Sequence, residues 1–170
     1  LENRGVKTDE ALMLLVQKMD EHGLSARGWT GGLDRAVQRF GVCVFHKKRI
    51  TLSRHLVALN GDHETLDTIL HEIAHALAWQ QYGKNCGHDT RWRHIAKRIG
   101  ARPERTMDPT TTIAVPASYY LVHADTGEVF RPYHRRPRRD LSQTWIRGRR
   151  KETFGRLVVV SAAELTPPTH

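Results

Sequence analysis

His71, Glu72 and His75 stand in a run from Leu66 to Trp79 that holds neither glycine nor proline. Apolar residues recur there at helical spacing, and side chains four apart on a helix share one face. Two imidazoles one turn apart can hold a metal ion between them, with nitrogens roughly 2.0–2.1 Å from a zinc. Glu72, next to the first imidazole, can reach a water at the metal without ligating it. That is the place of the general base in the H-E-x-x-H pattern. Eleven histidines occur in 170 residues, so such a pentapeptide on an amphipathic helix also arises by chance. A third ligand decides between the two readings.

An H-E-x-x-H-x-x-G-x-x-H pattern would need glycine at 78 and histidine at 81, where the chain has Ala78 and Gln81. No glutamate follows on the next helix, the first after Glu72 being Glu104. His88 remains, in a glycine-flanked loop that can fold back over the helix. Asp89 beside it and His94 on the next helix compete for the role. Three histidines with one position left to water form a catalytic set, because structural zinc sites fill all four positions.

The elements that must position these groups can be read from periodicity and punctuation. Residues 8–24 form an amphipathic helix on Ala11, Leu12, Leu14, Leu15 and Met19. Residues 29–53 are β-like, with segments at 36–40, 42–45 and 49–52 and glycines 28, 31, 32 and 41 as punctuation. A strand passing a helical metal site can pair with extended substrate backbone. A short helix is expected over 53–60, the central helix over 64–81 and another over 90–99. Residues 107–112 read as a linker between a domain at 1–106 and a second at 113–170. Strands are expected at 119–123, 129–133 and 157–160, with a mobile tail from Thr166. The predicted class is α+β: a zincin-like helical core with a small antiparallel sheet, then a small basic β-ribbon-like subdomain.

Composition narrows the setting. Hydrophobic residues make up 39% of the chain, and no run approaches the ~18 apolar residues of a membrane span. The opening residues, 1–5, lack the pattern of a secretory signal. Cys43 and Cys86 alone cannot build a disulfide scaffold, so the protein reads as cytoplasmic, in a bacterial or phage-infected cell. Net charge is +9, and residues 131–151 hold nine Lys and Arg against one acid. The cluster is Arg131, Arg135, Arg136, Arg138, Arg139, Arg147, Arg149, Arg150 and Lys151, with Tyr133 and Trp145 among them. Cations neutralise phosphates and aromatic rings stack on bases, so the segment reads as a DNA contact favouring single or frayed strands. Arginine's planar fork suits phosphate better than lysine does. A solvated basic loop, or a dock for an acidic protein, is the bland alternative.

Residues 68–77 with their H-E-x-x-H, then Gly87-His88-Asp89-Thr90-Arg91-Trp92, then residues 95–101, together resemble the SprT-like (Spartan-type) metalloproteases. Trp29, Gly41, Cys43 and residues 50–53 resemble that family's β portion. The resemblance covers about residues 29–105. It implies that His71, His75 and His88 hold one zinc ion and that Glu72 is the catalytic acid/base. It also implies proteolysis of DNA-bound proteins, crosslinked ones among them, in DNA repair. Many members end in a zinc ribbon with two C-x-x-C-G knuckles. The matching places here read His123-Ala124-Asp125-Thr126-Gly127 and Lys151-Glu152-Thr153-Phe154-Gly155, without cysteine. A Cys-less ribbon without a second zinc is therefore expected, and His123 has no partner set as a ligand. For the oxyanion, Tyr82, Arg91 and His94 are near in sequence. Two other readings are a DNA-binding zinc protein without peptidase activity, and a protease for one regulatory protein.

Overall fold

Three core-facing residues one helical turn apart, Ala11, Leu15 and Met19, pack the first helix, α1 (Asn3–Glu21), onto a three-stranded sheet. The computed structural model describes residues 3–103 and 112–165, with side chains from residue 7. It divides into two units, Leu1–Val115 and Pro116–His170. Residues 107–111 of the expected linker and the tail from Thr166 lie outside the described residues.

The sheet of the first unit has β1 (Thr30–Asp34), β2 (Gly41–Val44) and β3 (Arg49–Ser53) in the order β1-β3-β2. It is mixed, which corrects the antiparallel expectation: β2 is antiparallel to β3, but β1 runs parallel to it. The tight turn at 45–48 makes a hairpin of β2 and β3, while the chain from β1 crosses over before entering β2. The strand expected at 36–40 is also corrected. Asp34 accepts hydrogen bonds from the Ala36 amide at 2.8 Å, Arg39 Nη1 at 2.8 Å and Thr51 Oγ1 at 2.7 Å, so its carboxylate curls the segment into a turn. The strand lies upstream, through Gly31 and Gly32, which were read as punctuation. A Cβ at Gly31 would come within 3.1 Å of Leu15 Cδ2 and 3.4 Å of Met19 Sδ. Glycine there lets β1 lie close against α1.

After β3, Ser53 caps α2 (Arg54–Leu59) by accepting the Leu56 amide at 3.1 Å. The central helix α3 (Asp62–Tyr82) follows, then α4 (Thr90–Ile99). Helix α3 is held on two sides. Ile69, Ile73 and Ala76 join the main core with Leu15, Leu24, Ile50 and Leu56. Leu70, Ala74 and Ala78 pack instead against Trp92, Ile95 and Ala96 of α4. Each fully buried Leu or Ile contributes roughly 1.5–3 kcal/mol, so α3 is fixed in rotation as well as in place.

In the second unit β4 (Tyr119–His123), β5 (Val129–Tyr133) and β6 (Leu157–Ser161) form an antiparallel sheet in the order β5-β4-β6. Two one-turn helices, α5 (Arg150–Thr153) and α6 (Ala162–Leu165), are additions to what the sequence led us to expect. Leu121, Val122 and Leu157 are its buried apolar residues, joined by buried His123 and Thr153. So small a core leans on polar closure. Thr153 Oγ1 accepts from the Ile146 amide at 2.9 Å and donates to the Arg149 carbonyl at 2.7 Å. Among the described residues no helix is long and apolar enough to cross a membrane.

Candidate metal centre and active site

His71 and His75 project from one face of α3, and His88 reaches them from the loop between α3 and α4. Their Nε2 atoms lie 3.3 Å apart for His71–His75, 3.1 Å for His75–His88 and 3.0 Å for His71–His88. Three points so spaced share a centre about 2 Å from each, the zinc–imidazole bond length. Burial, and the other imidazoles of the triad, hold His71 down at about 4 and His75 at about 3, so these rings stay neutral ligands near pH 7. Neutral nitrogens converging this closely on one point suit a single divalent cation. This is the one group of three His, Cys, Asp or Glu ligands found among the described residues.

The competitors are occupied elsewhere. Asp89 caps α4, accepting from the Arg91 amide at 2.9 Å and the Trp92 amide at 3.3 Å. Its carboxylate also takes Arg91 Nε at 2.9 Å. Arg91 in turn lies over the Tyr82 ring at 5.5 Å. His94 is exposed on α4 and outside the cluster.

Glu72, next to His71 on α3, lies against the start of β2. A Cβ at Gly41 would fall 2.9 Å from Glu72 Cγ and 2.9 Å from Thr68 Cγ2, so only glycine fits between strand and helix there. Glu72 is 8% exposed. Burial pushes its carboxyl up to about 7, opposed by a hydrogen bond from the Cys43 backbone and by the positive charge of Arg39. A carboxyl held near neutrality can both take up and return a proton.

From sequence, Trp92 stood in its motif without a role, and Asp67 and Arg102 were not singled out. Trp92 is fully buried, and its ring lies 4.7 Å from His71, 5.1 Å from His75 and 4.5 Å from His88, centroid to centroid. It is a common floor for the three imidazoles. Its place in sequence, one turn after His88, was a usable signal. Asp67, one turn before His71, accepts from the Arg102 amide at 3.0 Å and Arg102 Nε at 2.9 Å, tying the chain after α4 back to α3. No sequence pattern marks that pair.

The basic segment belongs to the second unit. Arg131, Arg135, Arg136, Arg138, Arg139, Arg147, Arg150 and Lys151 are exposed. Arg150 lies 4.5 Å over the Trp145 ring and 5.5 Å over Phe154, and Arg131 lies 5.3 Å over Tyr133. Arg149 is engaged within the unit, with Nη1 2.6 Å from Glu128 and Nε 2.8 Å from Glu152. His123 accepts the Asp125 and Thr126 amides at Nδ1, at 3.2 and 3.3 Å, and so donates from Nε2 to the Glu152 carbonyl at 3.1 Å. That fixes its tautomer and accounts for both ring nitrogens without a metal.

Comparison with known proteins gives one match. No curated protein and no solved structure matches the chain. A family model, the SprT-like family, matches residues 14–113. That span is more than half of the 170 residues and contains the histidine triad and Glu72. With the H-E-x-x-H helix, the third histidine and the matched span in agreement, the chain belongs to the SprT-like family of metalloproteases, and its triad is suited to that family's single zinc.

Proposed function

We propose that the protein is a zinc-dependent endopeptidase acting on proteins held on DNA, DNA–protein crosslinks among them. The observation that carries the peptidase reading is the convergence of three imidazole nitrogens, with buried Glu72 next to His71 in the chain. His71, His75 and His88 would hold zinc, which when bound supplies Lewis-acid polarisation and an acidified water. Glu72 takes the proton from the attacking water and passes it to the leaving amine as the peptide bond breaks. The Cys43 amide holds the ionised carboxylate, and the contact at Gly41 keeps it from swinging away. Strand β2 is one of the two edge strands of its sheet, and its start lies against Glu72. Apart from the Cys43 amide, which Glu72 takes, that edge can bind an extended segment by adding a strand. Such binding reads main chain rather than side chains, which suits varied protein substrates.

DNA as partner is supported by the exposed cations of 131–151 and by exposed Trp145 beside Arg150. Base stacking on an aromatic ring is worth roughly 1–3 kcal/mol per base and needs an unpaired base. Tethering on a strand then selects substrates by effective concentration.

The test is proteolysis of a DNA-bound basic protein by the zinc-loaded chain and its Glu72→Gln variant, with and without single-stranded DNA. Cleavage should require DNA, and Glu72→Gln should retain zinc while losing about 10²–10⁴-fold in rate. Zinc binding without cleavage in any lane would favour a DNA-binding protein that keeps zinc without peptidase activity.

A further inference from the structure

A cavity of about 740 Å³ opens in the first unit, at the C-terminal end of α3. None of the triad or Glu72 lines it. Leu77 and Trp79 give it an apolar wall, and Phe45 stacks on Trp79 at 4.9 Å with the rings 18° from parallel. Arg27, Lys48 and Arg98 stand around it, all three exposed, and none of the described lining residues is acidic. Gln80 and Gln81 add amide groups that both donate and accept.

The cations invite a simpler explanation, that they neutralise the negative end of the helix dipole. For Arg27 and Lys48 the contacts point elsewhere. Arg27 Nη1 donates to the Gln80 side-chain oxygen at 2.6 Å, and Lys48 Nζ to the Arg27 carbonyl at 3.0 Å. Neither donates to a terminal carbonyl of α3 in these bonds. Volume and lining fit a small-molecule site, which combines apolar walls with a few placed polar groups.

We infer that this cavity binds a nucleotide: the base against Trp79 and Leu77, the phosphate among Arg27, Lys48 and Arg98, and an amide of Gln80 or Gln81 on the base edge. Three cations without an acid select an anion. The aromatic wall and the paired amides select a planar, hydrogen-bonding group attached to it. A free nucleotide and a nucleotide within a strand offer the same chemistry. The lining residues all belong to the first unit and the Arg-rich segment to the second, so the site does not rest on the DNA reading above.

The test is calorimetric titration of the full chain with dTMP, thymidine, inorganic phosphate and a short oligothymidylate. The same titrations use Arg98→Glu with Lys48→Glu, and separately Arg138→Glu with Arg139→Glu. Binding of dTMP should exceed that of thymidine and of phosphate. Reversing Arg98 and Lys48 should weaken it about tenfold or more, while reversing Arg138 and Arg139 should leave it unchanged. Oligothymidylate binding that is lost with Arg98 and Lys48, in the absence of dTMP binding, would assign the site to a strand. Equal affinity for phosphate and dTMP, or no loss on reversing Arg98 and Lys48, would overturn the inference. Circular dichroism of the doubly reversed chain distinguishes a lost site from a lost fold.

Discussion

Each imidazole of the triad leans on Trp92, so the indole sets ring orientations that the three backbone positions alone leave free. Trp92→Ala should destabilise the metal-free fold by roughly 3–5 kcal/mol and weaken zinc binding beyond that loss; Trp92→Phe should recover much of both. Thermal denaturation and competition against a zinc chelator separate the two effects. The same buried setting gives a signed pH response. His71 and His75 have folded values of about 4 and 3, below the ordinary 6.5, so the unfolded chain takes up their protons first. Stability of the metal-free protein from this source is present above 6.5 and lost as pH falls towards 3. Glu72, raised from 4.5 to about 7, acts in the opposite sense, favouring the fold below 4.5 and losing that contribution as pH rises through 7. Between pH 5 and 6.5 two histidines oppose one carboxyl, so stability should climb with pH. Melting curves of metal-free Glu72→Gln should climb more steeply; an unchanged slope would contradict the assigned burial of Glu72.

At the scale of elements, the contact between β2 and α3 is the most sensitive joint near the chemistry. Gly41→Ala places a methyl group on Glu72 and Thr68, and overpacking of this kind costs about 1–3 kcal/mol. The expected signature is a marked loss of turnover with zinc affinity retained, since the added methyl group meets Glu72 and Thr68 and not an imidazole; equilibrium dialysis beside the protease assay would show the split. The helices were legible in advance because their periodicity and caps are local: α3 and α4 fall within two residues of expectation. The His71–His75 pair was legible for a similar reason, its fixed i, i+4 spacing; spacing left His88 in competition with Asp89 and His94, and the family resemblance pointed to His88. Five strands fall within a residue of expectation, and only β1 was missed. A glycine pair reads as a turn, and nothing local reveals that Gly31 is needed because Leu15 and Met19 press on it from a helix. Asp34 likewise looks like any acid, yet its bonds to Ala36, Arg39 and Thr51 convert an expected strand into a turn. Long-range packing, which composition does not encode, decided the first, while in the second only the bond from Thr51 is distant in sequence.

Taken as a whole molecule, the two units differ in what closes them. The first gathers its ligands around a site for an ion; the second uses His123, which takes two backbone amides on one nitrogen and reaches the Glu152 carbonyl with the other. Hydrogen exchange on the full chain should show residues 119–161 equally protected with zinc and after chelation, while amides around His71, His75 and His88 become less protected. Protection lost in both regions would mean that the second unit also depends on metal. No thiolate takes part in that closure, since both cysteines lie in the first unit. Zinc scarcity and oxidative stress would therefore act on the two halves of the proposed enzyme unequally. If the proposed DNA contact holds, a starved molecule would stop cutting and still keep its strand, changing from a remover of obstacles into one of them.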